Sequence, residues 1–279
     1  MTKKYGILFI LLLLLTACNS IQPLQTVISS PQPKLSDQEY IAVILPHDTA
    51  KIPENYIVGH VTTPQKGKSA IDGFDNIMHA YDSIAQRYGA NLIRILHIRY
   101  ATNLKESDKV AALLYRVPDI RQYEKKIFWN GRRKLVWDDF KGSIPDTLQG
   151  DTYSSYAHIG IQHRSNAAFL VGTDRFFVTS SFDCDKSWFR PYAYYQTSYL
   201  DFQQGLFDLT ELYARKMRQK LTAKNIKEKD KAAFTENIDK ELGQQYRDAE
   251  NQYVMDTKAG TNKEAIQQWH DKIWKELRQ

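Results

Sequence analysis

The sequence predicts an α+β fold in two parts, a small ββαββ unit followed by a larger α+β unit that ends in helices. Three observations lead there. Short strand-like apolar runs flank a single helical stretch before residue 118. Aromatic-rich strands precede long helical segments after residue 127. The 279 residues are 42% hydrophobic and 25% charged, which marks a globular chain rather than a disordered, collagenous or coiled-coil one. The length is about twice an ordinary domain.

The elements follow in order. Residues 39–46 (EYIAVILP) form a strand stopped at Pro46, and residues 56–63 (YIVGHVTT) form a second. Phe74, Ile77, Met78, Tyr81, Ile84 and Ala85 recur at helical spacing over residues 72–88, and Gly89 caps that helix. Residues 91–100 and 110–117 supply two more strands, the last stopped by Pro118. In the second unit, AHIGIQ (157–162), AAFLVG (167–172) and RFFVTSSFD (175–183) read as strands. Residues 199–221 carry Phe202, Leu206, Leu209, Tyr213, Met217 and Leu221 near one helical face. Residues 232–253 and 262–278 continue as helices, with Gly260 breaking between them. The domains expected are therefore 37–118 and 127–279.

The start has its own logic. Lys3 and Lys4 precede an apolar run from Ile7 to Leu15. A spanning helix needs about 20 apolar residues, so residues 1–17 read as a signal peptide. Leu15-Thr16-Ala17-Cys18 resembles the lipobox of bacterial lipoproteins. The resemblance implies cleavage before Cys18, diacylation of its thiol and a lipid anchor in the cell envelope. Asn19 follows where an aspartate would signal inner-membrane retention, so the outer membrane is the expected location. Residues 18–36, rich in Ser, Pro and Gln, read as a lipidated tether. Removing Lys3 and Lys4 from the 38 basic residues leaves 36 against 32 acids, or +4. That is too mild for nucleic-acid binding, and no recognition motif supports it. Cys184, flanked by Asp183 and Asp185, lacks the cationic setting of a reactive thiolate and reads as structural.

Gly89-Ala90-Asn91-Leu92-Ile93-Arg94-Ile95 is similar to a turn of small envelope domains of the YbjQ and RcsF-like type. That resemblance implies a fold and raises an envelope sensor as one alternative role.

The second unit resembles DUF922-type secreted proteins, regarded as zinc-dependent proteases. Four phrases carry the resemblance. The first is Leu135-Val136-Trp137-Asp138-Asp139-Phe140-Lys141-Gly142, and the second is Phe182-Asp183 with Ser187-Trp188. The third runs from Phe207 to Arg215 and includes Asp208 and Glu211. The fourth comprises Tyr253, Thr257 and Gly260, then Gln267-Gln268-Trp269. The family pattern implies H-E-x-x-H on the helix. Histidines at i and i+4 share a face and grip Zn²⁺, and the glutamate serves as general base. Here those positions hold Phe202, Gln203 and Leu206, and a late histidine position holds Ala259. No H-x-x-x-H occurs anywhere in the chain. Phenylalanine, leucine and alanine cannot ligate zinc, and glutamine is no base near neutral pH. The resemblance therefore implies a pseudoprotease without cofactor, which binds or scaffolds a protein or peptide partner. The same reading predicts that Phe202 and Leu206 pack into the would-be zinc cavity.

Two alternatives stay open. Asp201, Asp208 and Glu211 could form a rearranged carboxylate metal site in an active hydrolase. Against this, Glu211 and Arg215 have the spacing of a helix-surface ion pair. The seven histidines (His47, His60, His79, His97, His158, His163 and His270) read as ordinary surface or core residues, with His270 alone on a late helix. Tyr192, Tyr194, Tyr195 and Tyr199 read as core, or as a contact surface if exposed.

Overall fold

Strand-favouring runs build the first sheet. They form β1 (Gln25–Ile28), β2 (Ala42–Ile44), β3 (Ile57–Thr62), β4 (Leu92–Arg99) and β5 (Lys109–Tyr115). The computed structural model describes residues 21–71, 73–101, 106–148, 154–166, 175–222 and 231–278. The sheet order is β1-β3-β5-β4-β2, antiparallel throughout except for the β2–β4 pair. Between β3 and β4 runs α1 (Phe74–Arg87), which lays Phe74, Ile77, Tyr81 and Ala85 against Val58, Val61, Ile93 and Ile95. The buried Tyr81 hydroxyl donates to the Val110 carbonyl at 2.8 Å, which removes the cost of burying it.

The Gly89-Ala90-Asn91 phrase has a local reason. Gly89 adopts φ +73°, and a Cβ there would lie 2.2 Å from the Pro33 carbonyl oxygen. Asn91 then clamps Val117 twice, donating to its carbonyl at 2.8 Å and accepting from its N–H at 2.9 Å.

The tether expected over 18–36 does not hold from Gln25 onward. β1 pairs with β3 along the sheet edge. Leu35 is only 2% exposed, and its N–H donates to the Gln86 carbonyl. Ser, Pro and Gln do favour extended backbone, but extended backbone also docks as an edge strand when Thr26 and Ile28 supply pairing residues. The signal segment 1–17 and Cys18 lie outside the described residues, as does the strand expected over 167–172.

In the second unit β6 (Lys126–Phe128), β7 (Ser155–Asn166) and β8 (Arg175–Phe189) form an antiparallel sheet of order β6-β8-β7. Three helices follow: α2 (Thr197–Thr222), α3 (Lys231–Asp256) and α4 (Lys263–Leu277). The whole is an α+β fold.

α2 is the centre of this unit. Phe207 packs with Ile127 and Phe182 of the sheet, while Phe202, Leu209 and Leu212 pack with Tyr253 of α3 and Ile266 and Ile273 of α4. From Phe202 to Ala214 only Leu206 escapes full burial. The single apolar face expected for this helix is thus widened on both sides. Polar residues that an amphipathic helix would show to water are enclosed here.

Candidate functional site

The family-motif positions come together around α2. Phe202 is 6% exposed and stacks on Tyr253, with centroids 5.2 Å apart and planes 7° from parallel. The Tyr253 hydroxyl donates to the Phe202 carbonyl at 3.0 Å. Its close approach needs Gly205, where a Cβ would meet the Tyr253 hydroxyl oxygen at 2.2 Å. Leu206, one turn on, is half-buried against the same cluster. Ala259 sits in a left-handed turn at φ 50°, exposed, and the neighbouring Gly260 abuts Phe202. Gly260 itself adopts φ +100°, with room for no Cβ against Tyr199 and Phe202. Gln203 points the other way, donating to the Ser155 hydroxyl at 2.9 Å. The family's zinc does not fit this set: Phe202, Leu206 and Ala259 offer no side-chain lone pair.

The other motif residues hold the frame. Trp137 packs on Phe140 and Phe189 at 5.1 and 4.7 Å, and Phe140 meets Phe182 edge-on at 5.0 Å. Asp139 accepts from the Val136 N–H at 2.8 Å and pairs with Arg133. Gly142 donates to the Ser187 carbonyl, and a Cβ there would lie 2.7 Å from the Asp185 carbonyl oxygen. Trp188 is buried. Thr257, fully buried, donates to the Tyr253 carbonyl at 2.6 Å, and Trp269 packs edge-on against Tyr253 at 5.5 Å.

Asp201, Asp208 and Glu211 do not converge. Asp201 is exposed. Asp208 is fully buried, and both carboxylate oxygens are engaged. One accepts from Trp129 Nε1 and Gln204 Nε2, each at 2.8 Å. The other accepts from Trp274 Nε1 at 2.8 Å and lies 3.4 Å from His270 Nε2. Burial alone would raise the Asp208 carboxyl, but hydrogen bonds from His270 and Trp129, with the charge of Lys134, bring it below its ordinary value. Glu211 accepts from Ser180 at 2.7 Å, from Arg215 at 3.2 Å and from Arg218 at 3.0 Å. Glu211 is 3% exposed, so in place of the expected helix-surface pair a buried carboxylate is held by two partly exposed arginines. α2 is wrapped on both sides, and its surface positions became interior ones. Among the described residues no three His, Cys, Asp or Glu side chains are grouped to hold a metal.

Two further expectations change. Tyr192, Tyr194 and Tyr195 are 48%, 56% and 87% exposed, a surface cluster rather than core. They lie in a 3-10 turn, Pro191–Tyr195, that leaves the sheet before α2 begins. His270 is not solitary but borders the Asp208 carboxylate. One signal could have found it: His270 and Trp274 lie one turn apart on α4, facing the helix that carries Asp208.

Cys184 is buried, and burial pushes its thiol up to about 12, with Lys141 opposing. It is no nucleophile.

Two cavities border these elements. A cleft of about 580 Å³ separates α1 from the second unit. Asp75, His79 and Asp82 line its α1 wall, and Trp129, Arg132 and Arg218 face them. Burial within the cleft raises the Asp75 and Asp82 carboxyls. Arg218 and His79 oppose it at Asp75, and Arg132 and His79 oppose it at Asp82. Asp75 as a whole residue is exposed, so the raise is the smaller matter there and Asp82, half-buried, is the more enclosed of the two. The junction of the units is pinned by Arg133, which pairs with Glu124 at 3.2 Å and lies over the Tyr40 ring at 4.9 Å. A second cavity, of about 440 Å³, opens between α2 and α4.

Comparison of the chain with protein-family models, curated proteins and solved structures finds no match.

Proposed function

We propose that this chain is a lipid-anchored binding protein of the bacterial cell envelope, built on a metalloprotease-like frame that carries no metal chemistry. One observation carries the reading. At the position where the family pattern calls for a zinc-binding histidine, Phe202 lies stacked under Tyr253, which in turn bonds back to the Phe202 carbonyl. An apolar plug of this kind stands in for charge that only a cation could offset. Asp208 and Glu211 already accept from several donors each, and Asp201 does not converge with them. What remains for the protein is recognition: two cavities of ligand size flank α2.

The anchor rests on Leu15-Thr16-Ala17-Cys18, and the outer membrane on Asn19. The acyl chains on Cys18, each methylene worth about 0.8 kcal/mol on burial, would hold the protein at the membrane.

Zinc content of the purified protein, together with casein cleavage with and without chelator, tests the reading. We expect metal far below one equivalent and no chelator-sensitive cleavage. One equivalent of zinc with chelator-sensitive cleavage would overturn it.

A further inference from the structure

The cleft between α1 and the second unit holds charges that the fold leaves unpaired. Asp75, His79 and Asp82 fall at i, i+4 and i+7 of α1, so one helix face turns all three toward the cleft. Neither Asp75 nor Asp82 makes an ion pair or a side-chain hydrogen bond among the described residues, and Arg218 and Arg132 act on them only across the gap. Arg218 is already held by Glu211 at 3.0 Å. Arg132, on the wall facing Asp82, has no ion-pair partner among the described residues.

A second, independent observation comes from the wall that the second unit supplies. The Arg133 side chain is 4% exposed and pairs through one Nη with Glu124 and Asp139, yet its Nε–H finds no acceptor. The Thr179 hydroxyl, also shut off from solvent, has no partner either. Both residues line the cleft. A buried donor without an acceptor is costly unless something else satisfies it. The two walls therefore call for opposite groups, a cation at α1 and an anion or carbonyl oxygen at the second unit. Among the described residues no three His, Cys, Asp or Glu side chains are grouped to hold a metal, so the cation that suits Asp75 and Asp82 is an organic one. Between the walls, Val43, Met78, Phe128 and Trp129 supply apolar surface. The volume of about 580 Å³ falls in the range of small-ligand pockets, roughly 300–1,000 Å³.

We propose that this cleft binds a small zwitterion, an amino acid or short peptide with both ends free. Its ammonium faces Asp75 and Asp82, its carboxylate faces Arg132, Arg133 and Thr179, and an apolar side chain lies on Phe128 and Trp129. The proposal rests on the binding reading above and names its ligand class. Opposed walls also select: a plain amine leaves Arg132 unanswered, and a plain carboxylate meets the like charge of Asp82.

The probes are amino acids, dipeptides and tripeptides of Ala, Leu and Phe, each prepared with free ends, with an acetylated amine and with an amidated carboxylate. Titration calorimetry on the full mature protein should find binding by free-ended probes. Acetylation and amidation should each weaken it about tenfold or more, the loss expected for a charge-assisted contact. Asp82→Asn should weaken the free-ended probe about tenfold and leave the acetylated one unchanged. Arg132→Gln should weaken the free acid by a similar factor and leave the amide unchanged. Relief of an unpaired carboxylate keeps Asp82→Asn at least as heat-stable as the parent, so lost binding in it is not lost fold. Equal binding by free, acetylated and amidated probes, binding indifferent to both substitutions, or no binding by any free-ended probe would each overturn the proposal. None of these outcomes bears on zinc content, so the two readings fail separately.

Discussion

Gly205→Ala should destabilise this protein, although the same change in an ordinary helix interior stabilises by roughly 1 kcal/mol. The reason is the Tyr253 ring. A Cβ at position 205 would meet the hydroxyl oxygen at 2.2 Å and the ring carbon bearing it at 2.8 Å. That ring cannot swing aside freely: it is fully buried, stacked on Phe202 at 5.2 Å and packed edge-on by Trp269 at 5.5 Å. Overpacking a tight core costs about 1–3 kcal/mol. Displacing the hydroxyl from the Phe202 carbonyl adds about 1 kcal/mol. Together these outweigh the gain in helix propensity, for a net loss of about 1–3 kcal/mol. Urea unfolding followed by tryptophan fluorescence reads the difference directly. An alanine variant as stable as the parent, or more stable, would show that Tyr253 does not plug the helix face as described.

Other perturbations test other parts. Asp208→Asn replaces an acceptor of two indoles, a glutamine amide and a histidine with a group that also donates, and should cost about 2–3 kcal/mol at neutral pH. Because the Asp208 carboxyl is lowered in the fold, its contribution is present above the ordinary 3.8 and is lost as pH falls through the folded value, so parent and variant should converge in acid denaturation. Asp82→Asn has the opposite sign. A raised carboxyl is a burden above its folded value and none below 3.8, so the variant should melt higher at pH 7 and no higher at pH 3.5. Cys184 should resist a thiol reagent in the native protein and react at once in denaturant; rapid native labelling would contradict its burial.

Most of the first unit was legible because β2 to β5 and α1 carry local signals. Alternating Val, Ile and Leu define β3 to β5, the i, i+3, i+4 pattern defines α1, and Gly89 must end that helix where Pro33 crosses it. β1 escaped notice because four residues on a sheet edge need no apolar run, only a neighbour, and that neighbour is β3. α2 was legible as a helix and illegible as an environment. Phe202, Leu209 and Met217 announce an apolar stripe, but nothing local says that Asp208, Glu211 and Gln204 are enclosed as well. Their partners lie far along the chain: Trp129 is 79 residues from Asp208, and Ser180 is 31 from Glu211. Spacing along one helix reports which side chains share a face, not what the remainder of the chain brings to it.

That same enclosure bears on how Asp208 and Glu211 could meet a cation. A carboxylate that ligates a cation needs lone pairs facing open space and a neighbour of like charge to share the ion. Asp208 and Glu211, though three residues apart, spend their oxygens on separate sets of donors, indoles and an imidazole for one, guanidiniums and a serine for the other. The two sets meet where Arg215 lies over the Trp129 ring at 5.2 Å and where the Trp129 N–H donates to the Ser180 carbonyl at 3.2 Å. A divalent ion at either acid would have to displace several hydrogen bonds that already compensate a buried charge, and would face arginines at Glu211 or the Lys134 charge at Asp208. Asp208 and Glu211 are therefore fasteners for the aromatic and cationic side chains around them.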